Sequence, residues 1–196
     1  GKEFYNGVIE NSLRFDDDSS PKLQRTFSND YSDKGTWTYS FWIKQGALTD
    51  DYSLTIEQYE SSGTAGFDFI RFGVSDSIMY TATGGVDYGW RTGAKYRDPG
   101  AWYHVVFQSD TSSTVADDRY KMFINGKRDT SGTMHYGAPP QNHQWPHFGD
   151  ASFPISIGFY DDADTYSDCH VTDIYHVQGY ALGPENFGEY KEGVWI

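Results

Sequence analysis

Residues 170–189 read HVTDIYHVQGYALGPENFGE, and this stretch predicts how the chain closes its fold. Apolar and polar side chains alternate over the first half, which is typical of a β-strand with one buried face. The alternation predicts two faces: Val171, Asp173, Tyr175 and Val177 on one, and Thr172, Ile174 and His176 on the other. The strand should end at Gly179. Pro184 and Glu185 favour a helical turn, because proline presets φ and a carboxylate suits a helix N-terminus.

The same alternation predicts the main strands further upstream. Its clearest instance is residues 37–44, with Trp37, Tyr39, Phe41 and Ile43 on one face and Thr38, Ser40, Trp42 and Lys44 on the other. Trp42 is the exception on the polar face. A shorter strand should point Leu54 and Ile56 inward and Thr55 and Glu57 outward. Residues 102–109 and 119–124 predict two more strands, and Asn125-Gly126 after the second is the dipeptide that a type I′ hairpin turn prefers.

Composition bounds the class of protein. The chain has 196 residues with 18% aromatics, which suits one β-rich domain spanning 1–196, and it starts at Gly1 rather than Met, which suggests a processed chain or a piece of a longer one. Its net charge of −13 makes nucleic acid and anionic lipid unsuitable partners. No apolar run approaches the ~20 residues of a membrane span, so no membrane insertion is expected. Cys169 is the only cysteine, so no intrachain disulfide forms, and we expect it in the core.

Three blocks of sequence carry a resemblance to a known family. They are SLRF … RTF … TWTYSFWIK, AWYHVVFQSDT … DRYKMFINGKRDT, and ALGPENFGE (181–189) with the tail GVWI (193–196). Together they resemble the concanavalin A-like lectin/glucanase (laminin G-like) jelly roll, above all the version in tailed-bacteriophage structural proteins. The resemblance implies an all-β antiparallel sandwich with long rim loops. The acidic run 16–18 and the displaced aromatic in residues 174–176 depart from the family's pattern.

The resemblance also implies a function. It points to a non-enzymatic phage virion domain, displayed on a tail fibre or capsid surface, that binds host-surface glycan or another surface ligand. Such a domain is assembled in the host cytoplasm, is extracellular when displayed, contacts other virion proteins and forms a homo-oligomer. The alternative is a purely structural capsid decoration or cement module with protein–protein contacts alone. A secreted adhesion lectin is less favoured, because disulfides and a signal peptide are missing.

Aromatic side chains in two long predicted loops, 84–100 and 132–153, are the candidate ligand-binding residues. Sugar rings present C–H faces that pack on Trp and Tyr, while amides and carboxylates bind the hydroxyls. The candidate platforms are Tyr88 with Trp90 and Tyr136 with Trp145, and the candidate polar groups are Asp87, Asn142 and Asp150. For each tryptophan the roles rank as loop anchor, then protein interface, then sugar platform.

The acidic loop 161–168 is the candidate metal site. Asp162, Asp164 and Asp168 could converge on Ca²⁺, which binds six to eight oxygens, and the resemblance adds weight because rim Ca²⁺ is frequent in this superfamily. A solvated acidic turn is the alternative. His143 and His147 have a spacing that suits Zn²⁺, but Pro146 excludes the helix that would bring them to one face. They are therefore interpreted as polar loop residues.

The sequence contains no pattern for hydrolysis. Glucanases of the resembled fold carry an E-x-D-x-E strand, whose two glutamates act as nucleophile and general acid, and the chain has none. Glu57 and Glu60 are offset by three residues, so on a strand they would point to opposite faces. Neither a G-x-S-x-G elbow nor a Walker A loop occurs. The prediction is a protein that is not an enzyme.

Overall fold

The computed structural model describes residue 9 and residues 11–46, 53–59, 67–74, 78–83, 88–135, 137–160 and 165–196. These residues form an antiparallel β-sandwich, which confirms the predicted fold class. The helical content described is three 3-10 turns, Asp17–Ser19, Ala116–Asp118 and Pro184–Asn186, the last of which is the turn predicted at Pro184. Within the described part of the chain, no helix is long and apolar enough to span a membrane.

The larger sheet has six strands and contains the strongest sequence alternation. In spatial order they are β1 (Leu13–Phe15), β15 (Cys169–Gln178), β3 (Thr36–Gln45), β8 (Tyr103–Asp110), β9 (Tyr120–Ile124) and β10 (Lys127–Arg128). Asn125 and Gly126 join β9 to β10 with φ of 49° and 75°, so both residues of the turn are left-handed. This confirms the predicted type I′ hairpin, which asparagine and glycine adopt more readily than other residues.

The second sheet packs against the first. Its order is β2 (Leu23–Arg25), β12 (Ile155–Ile157), β4 (Leu54–Tyr59), β5 (Phe67–Val74) and β6 (Ile78–Thr83). Three two-stranded ribbons complete the described fold: β7 (Gly89–Arg91) with β11 (Thr133–His135), β13 (Phe159–Tyr160) with β14 (Thr165–Tyr166), and β16 (Tyr190–Lys191) with β17 (Val194–Trp195). The two predicted long loops are therefore joined by β7 and β11, which are too short to leave a periodic signal.

The core lies between the two sheets and is largely aromatic. Its β3 members are the four residues predicted to share one face: Trp37, Tyr39, Phe41 and Ile43. The Trp37 ring lies 5.3–6.0 Å from four other aromatic rings, those of Tyr39, Tyr120, Trp145 and Phe148. Cys169 is also fully buried, as predicted, and burial raises the pKa of its thiol. A buried, protonated thiol packs as a small apolar group and is a poor nucleophile.

The outer face of the six-stranded sheet is covered by a second layer. Thr38 and Ser40, predicted on the polar face of β3, are buried because the chain after β15 crosses this face. Thr38 Oγ1 donates to the Tyr180 carbonyl (2.7 Å) and accepts from the Leu182 N–H (2.8 Å). The crossing segment therefore lies on the sheet that the alternation alone would expose to solvent.

A bulge in β15 corrects the predicted faces of the closing strand. The pairing with β3 shifts between Thr172 and Tyr175, and Asp173 has φ of 50°. The extra residue reverses the alternation, so Ile174 packs on the core and Tyr175 is 49% exposed. His176 turns inward and stacks on Tyr39 at 4.3 Å. The prediction that Tyr175 shares a face with Val171 is wrong, because a bulge leaves no period-2 signal in the sequence.

Candidate functional site

The C-terminal hairpin forms one wall of the candidate site. Strands β16 and β17 are joined at Glu192 and Gly193, which have φ of 51° and 83°. Beyond the ribbon, the N–H groups of Glu189 and Ile196 each donate to the other's carbonyl at 2.9 Å. Trp195 projects from this hairpin onto the outer face of the six-stranded sheet and is 8% exposed. The apolar tail of the sequence is thus part of the folded domain.

His104 on β8 holds Trp195 in place. The Trp195 Nε1–H donates to His104 Nδ1 at 2.8 Å, and the two rings stack with centroids 5.7 Å apart. Because an indole N–H can only donate, Nδ1 carries no proton, and Nε2–H donates to Ser40 Oγ at 2.9 Å. Trp42 lies on the sheet beside His104, with ring centroids 4.9 Å apart. Burial lowers the pKa of His104 to about 4, so the imidazole is neutral at pH 7.

The turn after β9 locks the sheet to the hairpin. Asn125 Oδ1 accepts from the His104 N–H at 2.8 Å, and the Asn125 carbonyl accepts from the Tyr190 hydroxyl at 2.7 Å. A Cβ on Gly126 would overlap the Trp195 ring, so this position requires glycine for its close contact as well as for its φ. One dipeptide therefore positions both a sheet residue and the hairpin.

Between these elements lies an open cavity of about 500 Å³, which we call the sheet-face pocket. The residues that line it are Trp42, Trp102, Ile124, Asn125, Lys127, Tyr190, Gly193, Val194 and Trp195. Three indoles and one phenol dominate the walls. Trp42 and Trp102 are half-buried and Tyr190 is 47% exposed, so their rings are partly open to solvent. The Lys127 ammonium and the side-chain N–H group of Asn125 can hydrogen-bond a ligand, since the Asn125 oxygen already accepts from His104.

None of the described candidate ligand-binding residues named from the sequence lines this pocket. The signal that could have found it was Trp42, an aromatic on the polar face of the strongest strand. Trp102 lies one residue before β8 and two before His104, so it belongs to the same face as Trp42. The sequence does not predict that Trp195 lies on this face, because only the tertiary fold brings the C-terminal hairpin onto the sheet.

Trp90 lies in a second cavity, of about 550 Å³, at the rim. This rim groove is lined by Trp90, Asp117, Arg128, Asp129, Thr130, Thr133, Met134, Gly137 and Ala138. Trp90 is half-buried, and its Nε1–H donates to Asp129 Oδ2 at 2.8 Å. Arg128 donates to Asp118 Oδ1 at 3.0 Å and to the Asp117 carbonyl at 2.6 Å. The indole N–H and the arginine of the groove are therefore already engaged with acceptors of the protein.

Tyr88 and Trp145, the other described platform candidates, do not line the rim groove. Tyr88 contacts His143 and His143 contacts Trp145, each with ring centroids 5.2 Å apart. Trp145 is 1% exposed and donates from Nε1 to Ser109 Oγ at 2.8 Å. No face of its ring is open to a sugar, and its contacts are those of a loop anchor, the first of the roles considered. Tyr136 and Asp87 lie outside the described residues.

The two described polar candidates, Asp150 and Asn142, make hydrogen bonds within the protein. Asp150 Oδ2 accepts from Lys34 Nζ at 2.6 Å. Partial burial would raise the pKa of Asp150, but the hydrogen bonds from Lys34 and Ser152 outweigh it and the pKa is lowered. The Asn142 side chain is exposed, and the Asn142 backbone N–H donates to the Thr111 carbonyl at 2.8 Å. The hydrogen bonds of Asn142 and Asp150 thus hold the loop in place, and neither residue lines the sheet-face pocket or the rim groove.

The loop that carries Trp145 is fastened by two buried polar side chains. Asp68 Oδ2 accepts from the N–H groups of His147 and Phe148, both at 2.7 Å. Gln58 accepts from the Gly149 N–H at 3.0 Å and donates to the Phe153 carbonyl at 2.8 Å. These bonds replace backbone partners that an irregular buried segment would otherwise lack.

The metal candidates are only partly within the described chain. Asp162 and Asp164 lie outside it, and the Asp168 carbonyl accepts from the Gly46 N–H at 3.1 Å. Among described residues, three or more acidic, histidine or cysteine side chains come together once, at the acidic turn Asp16, Asp17 and Asp18. His143 and His147 take no part in such a group. Ca²⁺ at residues 162, 164 and 168 stays a prediction.

Glu57 lies in a buried ion pair. It is 1% exposed, with Oε2 3.5 Å from Arg71 Nη2, although it was predicted to point to solvent. The Arg71 guanidinium lies 3.7 Å from the Phe69 ring and 3.6 Å from the Tyr160 ring. This arrangement is that of a buried structural pair between aromatic faces. Glu60 lies outside the described residues.

Comparison with known proteins identifies the family of this chain. A family model described as the concanavalin A-like lectin/glucanases superfamily, laminin G type, matches residues 18–169. The match covers well over half of the chain, and the chain therefore belongs to this superfamily. No curated protein matches the sequence.

Solved structures share the fold. Domains LG4-5 of the mouse laminin alpha1 chain align with a TM-score of 0.60 at 11% identity, over 90% of this chain and 44% of that chain. The native heptameric SAP-like pentraxin from Limulus polyphemus aligns at 0.56 and 15%, over 92% and 76%. The binding domain of Paraclostridial Mosquitocidal Protein 1 aligns at 0.57 and 14%, over 93% and 43%. At such identities the likeness concerns the fold, which is the predicted concanavalin A-like sandwich.

Proposed function

We propose that this domain is a non-enzymatic carbohydrate-binding module, and that the sheet-face pocket is where it binds a glycan. The single observation that supports this most is that Trp42, Trp102, Tyr190 and Trp195 line one open cavity. Aromatic faces pack against the C–H faces of pyranose rings, and the amide of Asn125 is suited to hydroxyl groups. The volume of about 500 Å³ falls within the range of small-molecule sites, roughly 300–1,000 Å³.

The biological setting we propose is the virion of a tailed phage. Three blocks of sequence resemble the laminin G-like domains of phage structural proteins, in the same order along the chain. On a tail fibre or capsid surface, the pocket would face host-surface glycans, and the domain would contact other virion proteins as part of a homo-oligomer. It would be assembled in the host cytoplasm and become extracellular on display.

The proposal is tested with an array of oligosaccharides from bacterial surface polysaccharides. We expect Trp102→Ala to weaken binding at least tenfold, because truncation of a central hot-spot aromatic costs ~2 kcal/mol or more and ~1.4 kcal/mol already corresponds to tenfold. The matched control is Trp90→Ala, which removes an indole of similar exposure from the rim groove and should leave binding unchanged. Binding that is equal in the native protein and in Trp102→Ala would contradict the proposal.

A structural decoration module is the second candidate, and exposed tyrosines favour it. Tyr175 and Tyr180 are 49% and 65% exposed, and tyrosine is enriched at protein interfaces. Co-sedimentation with assembled virion particles separates the two functions. Docking that is lost in Tyr180→Ala but retained in Trp102→Ala, without any bound glycan, would favour the structural role.

Bound Ca²⁺ remains a proposal for residues 162, 164 and 168. A cation that binds only the folded state raises the melting temperature by mass action. The domain should therefore melt at a higher temperature in millimolar Ca²⁺ than with chelator. Asp168→Asn should remove the difference, and identical melting curves for the native protein would contradict the proposal.

A further inference from the structure

The sheet-face pocket is lined by a basic side chain, although the chain as a whole is strongly acidic. The protein has 28 acidic and 15 basic side chains. Among the described residues that line the pocket there is one lysine, Lys127, and no aspartate or glutamate. The rim groove, by contrast, is lined by Asp117, Asp129 and Arg128. The sheet-face pocket therefore presents a local positive charge on a strongly negative protein.

Lys127 is well placed to meet a ligand. It is exposed, it opens strand β10 directly after the Asn125-Gly126 turn, and it lines the pocket together with Trp102 and Tyr190. Lys127 makes no ion pair with any residue that the structure describes, whereas its neighbour Arg128 is held by Asp118 at 3.0 Å. Two consecutive basic side chains thus have different surroundings: Arg128 is paired with a carboxylate, and Lys127 lies beside the aromatic walls without a described carboxylate partner.

From this we infer that the ligand of the sheet-face pocket is an anionic sugar, with its ring against the aromatic walls and its acidic group on Lys127. The inference rests on the proposed function. A carboxylate, phosphate ester or sulfate ester would each suit an ammonium, which acts as a point charge without a fixed geometry. Hydrogen bonds to a charged group contribute more than neutral ones. Attraction at contact also prevails over the net negative charge, because charges beyond about 8–10 Å are largely screened at physiological salt.

The positive charge of Lys127 also argues against a cationic ligand, which is the other kind of ligand that an aromatic cavity suits. Quaternary ammonium groups bind within cages of Trp and Tyr through cation–π attraction. A cage for a cation gains from a nearby carboxylate and loses from a nearby ammonium. The described lining has the second and lacks the first. Lys127 therefore selects against cations.

The experiment measures affinity for matched acidic and neutral oligosaccharides. Galacturonic acid oligomers and their methyl esters have the same rings, and the ester replaces the carboxylate charge with a small neutral group. Phosphorylated and sulfated oligosaccharides on the same array distinguish the source of the anion. We expect the bound glycans to be acidic. Lys127→Gln should bind them about tenfold more weakly, as expected for the loss of one charge-assisted contact. Lys127→Arg should bind within about threefold of the native protein, because it keeps the charge.

The outcomes separate this inference from the proposed function. Neutral glycans that bind as well as acidic ones, with affinity lost in Trp102→Ala and unchanged in Lys127→Gln, would overturn the inference and leave the glycan site in place. Binding of a choline derivative that improves in Lys127→Gln would also overturn it. Glycan binding that does not depend on Trp102, or no binding at all, would overturn the proposed function and the inference together.

Discussion

The sheet-face pocket and the rim groove are similar in size, and each has indole in its wall, yet their chemistry differs. The groove is lined by the β7–β11 ribbon, the end of β10 and the turns beside them; its indole N–H is bound to Asp129, and Arg128 is bound to Asp118. The pocket is built on a sheet and a terminal hairpin, with several aromatic rings and a lysine that no described carboxylate pairs. In the groove the arginine and the indole N–H are held by acceptors of the protein, whereas in the pocket the Lys127 ammonium has no partner among the described residues.

The difference shows that a loop position does not by itself make an aromatic side chain a binding residue. Trp145 lies in the middle of a long irregular segment, but it is 1% exposed and packs against Trp37. Trp42 lies in the middle of a regular strand, yet it faces an open cavity. Rigid elements hold side chains more exactly than loops do, which suits a site that must keep several rings in place.

The largest effect we predict concerns the role of Trp145. Trp145→Ala removes a fully buried indole and should lower the free energy of unfolding by about 4 kcal/mol, as buried Trp→Ala changes typically do. Urea denaturation measures the change. Trp90→Ala is the control and should cost much less, because the ring is only half-buried. A Trp145→Ala protein of native stability that has lost glycan binding would mean that this ring is a platform after all.

A somewhat smaller effect is expected at Trp195. Trp195→Ala should cost about 3 kcal/mol, below the Trp145 value because a terminal hairpin can open without unfolding the sandwich. Hydrogen exchange at the amides of Glu189 and Ile196, which bond to each other's carbonyls, should accelerate strongly. Exchange at the β3 amides should change far less. Unchanged protection at Glu189 would show that the hairpin does not depend on its indole.

The pH dependence of stability should identify the buried histidines. Burial lowers the pKa of both His104 and His176 to about 4, from about 6.5 in the unfolded chain. Between these values the unfolded state binds more protons, so stability falls as pH drops from about 6.5 to 4, by about 2 kcal/mol per histidine once residual solvent access is allowed for. His104→Gln and His176→Gln should each flatten the curve in this window. A curve that neither substitution alters would show that the pH dependence does not come from His104 and His176.

The smallest predicted effect compares two asparagines in left-handed conformation, Asn125 at the pocket and Asn142 at the rim. Their φ angles are 49° and 62°, so glycine suits both backbones. The Asn125 side chain accepts from the His104 N–H, whereas the Asn142 side chain has no partner among the described residues. Asn125→Gly should therefore cost about 1 kcal/mol, and Asn142→Gly close to nothing. Equal effects in thermal denaturation would show that the side-chain bond contributes little.

Local patterns in the sequence were sufficient to predict most of the fold. Alternation predicted β3 and its buried face, Asn125-Gly126 predicted the turn, and Pro184 predicted the 3-10 turn. The bulge at Asp173 was not predictable, because an inserted residue looks like any other member of a strand. Its effect was to exchange the faces of Tyr175 and His176.

The site was less accessible to prediction because it depends on contacts between distant parts of the chain. Trp42, Lys127 and Trp195 are separated by 68 residues or more and meet only after the sheet is assembled and the tail crosses it. The alternation also predicted solvent exposure for two residues that are buried. Glu57 and Thr38 had the pattern of solvent-facing residues, but additional layers of chain cover them.

The C-terminal hairpin has a practical consequence for anyone who prepares this protein. The last residue, Ile196, is tied by its backbone to Glu189, and its neighbour Trp195 is a wall of the pocket. Any segment fused after Ile196 would therefore emerge beside the mouth of the cavity. Removal of Trp195 and Ile196 should abolish ligand capture, because it takes away one wall of the pocket.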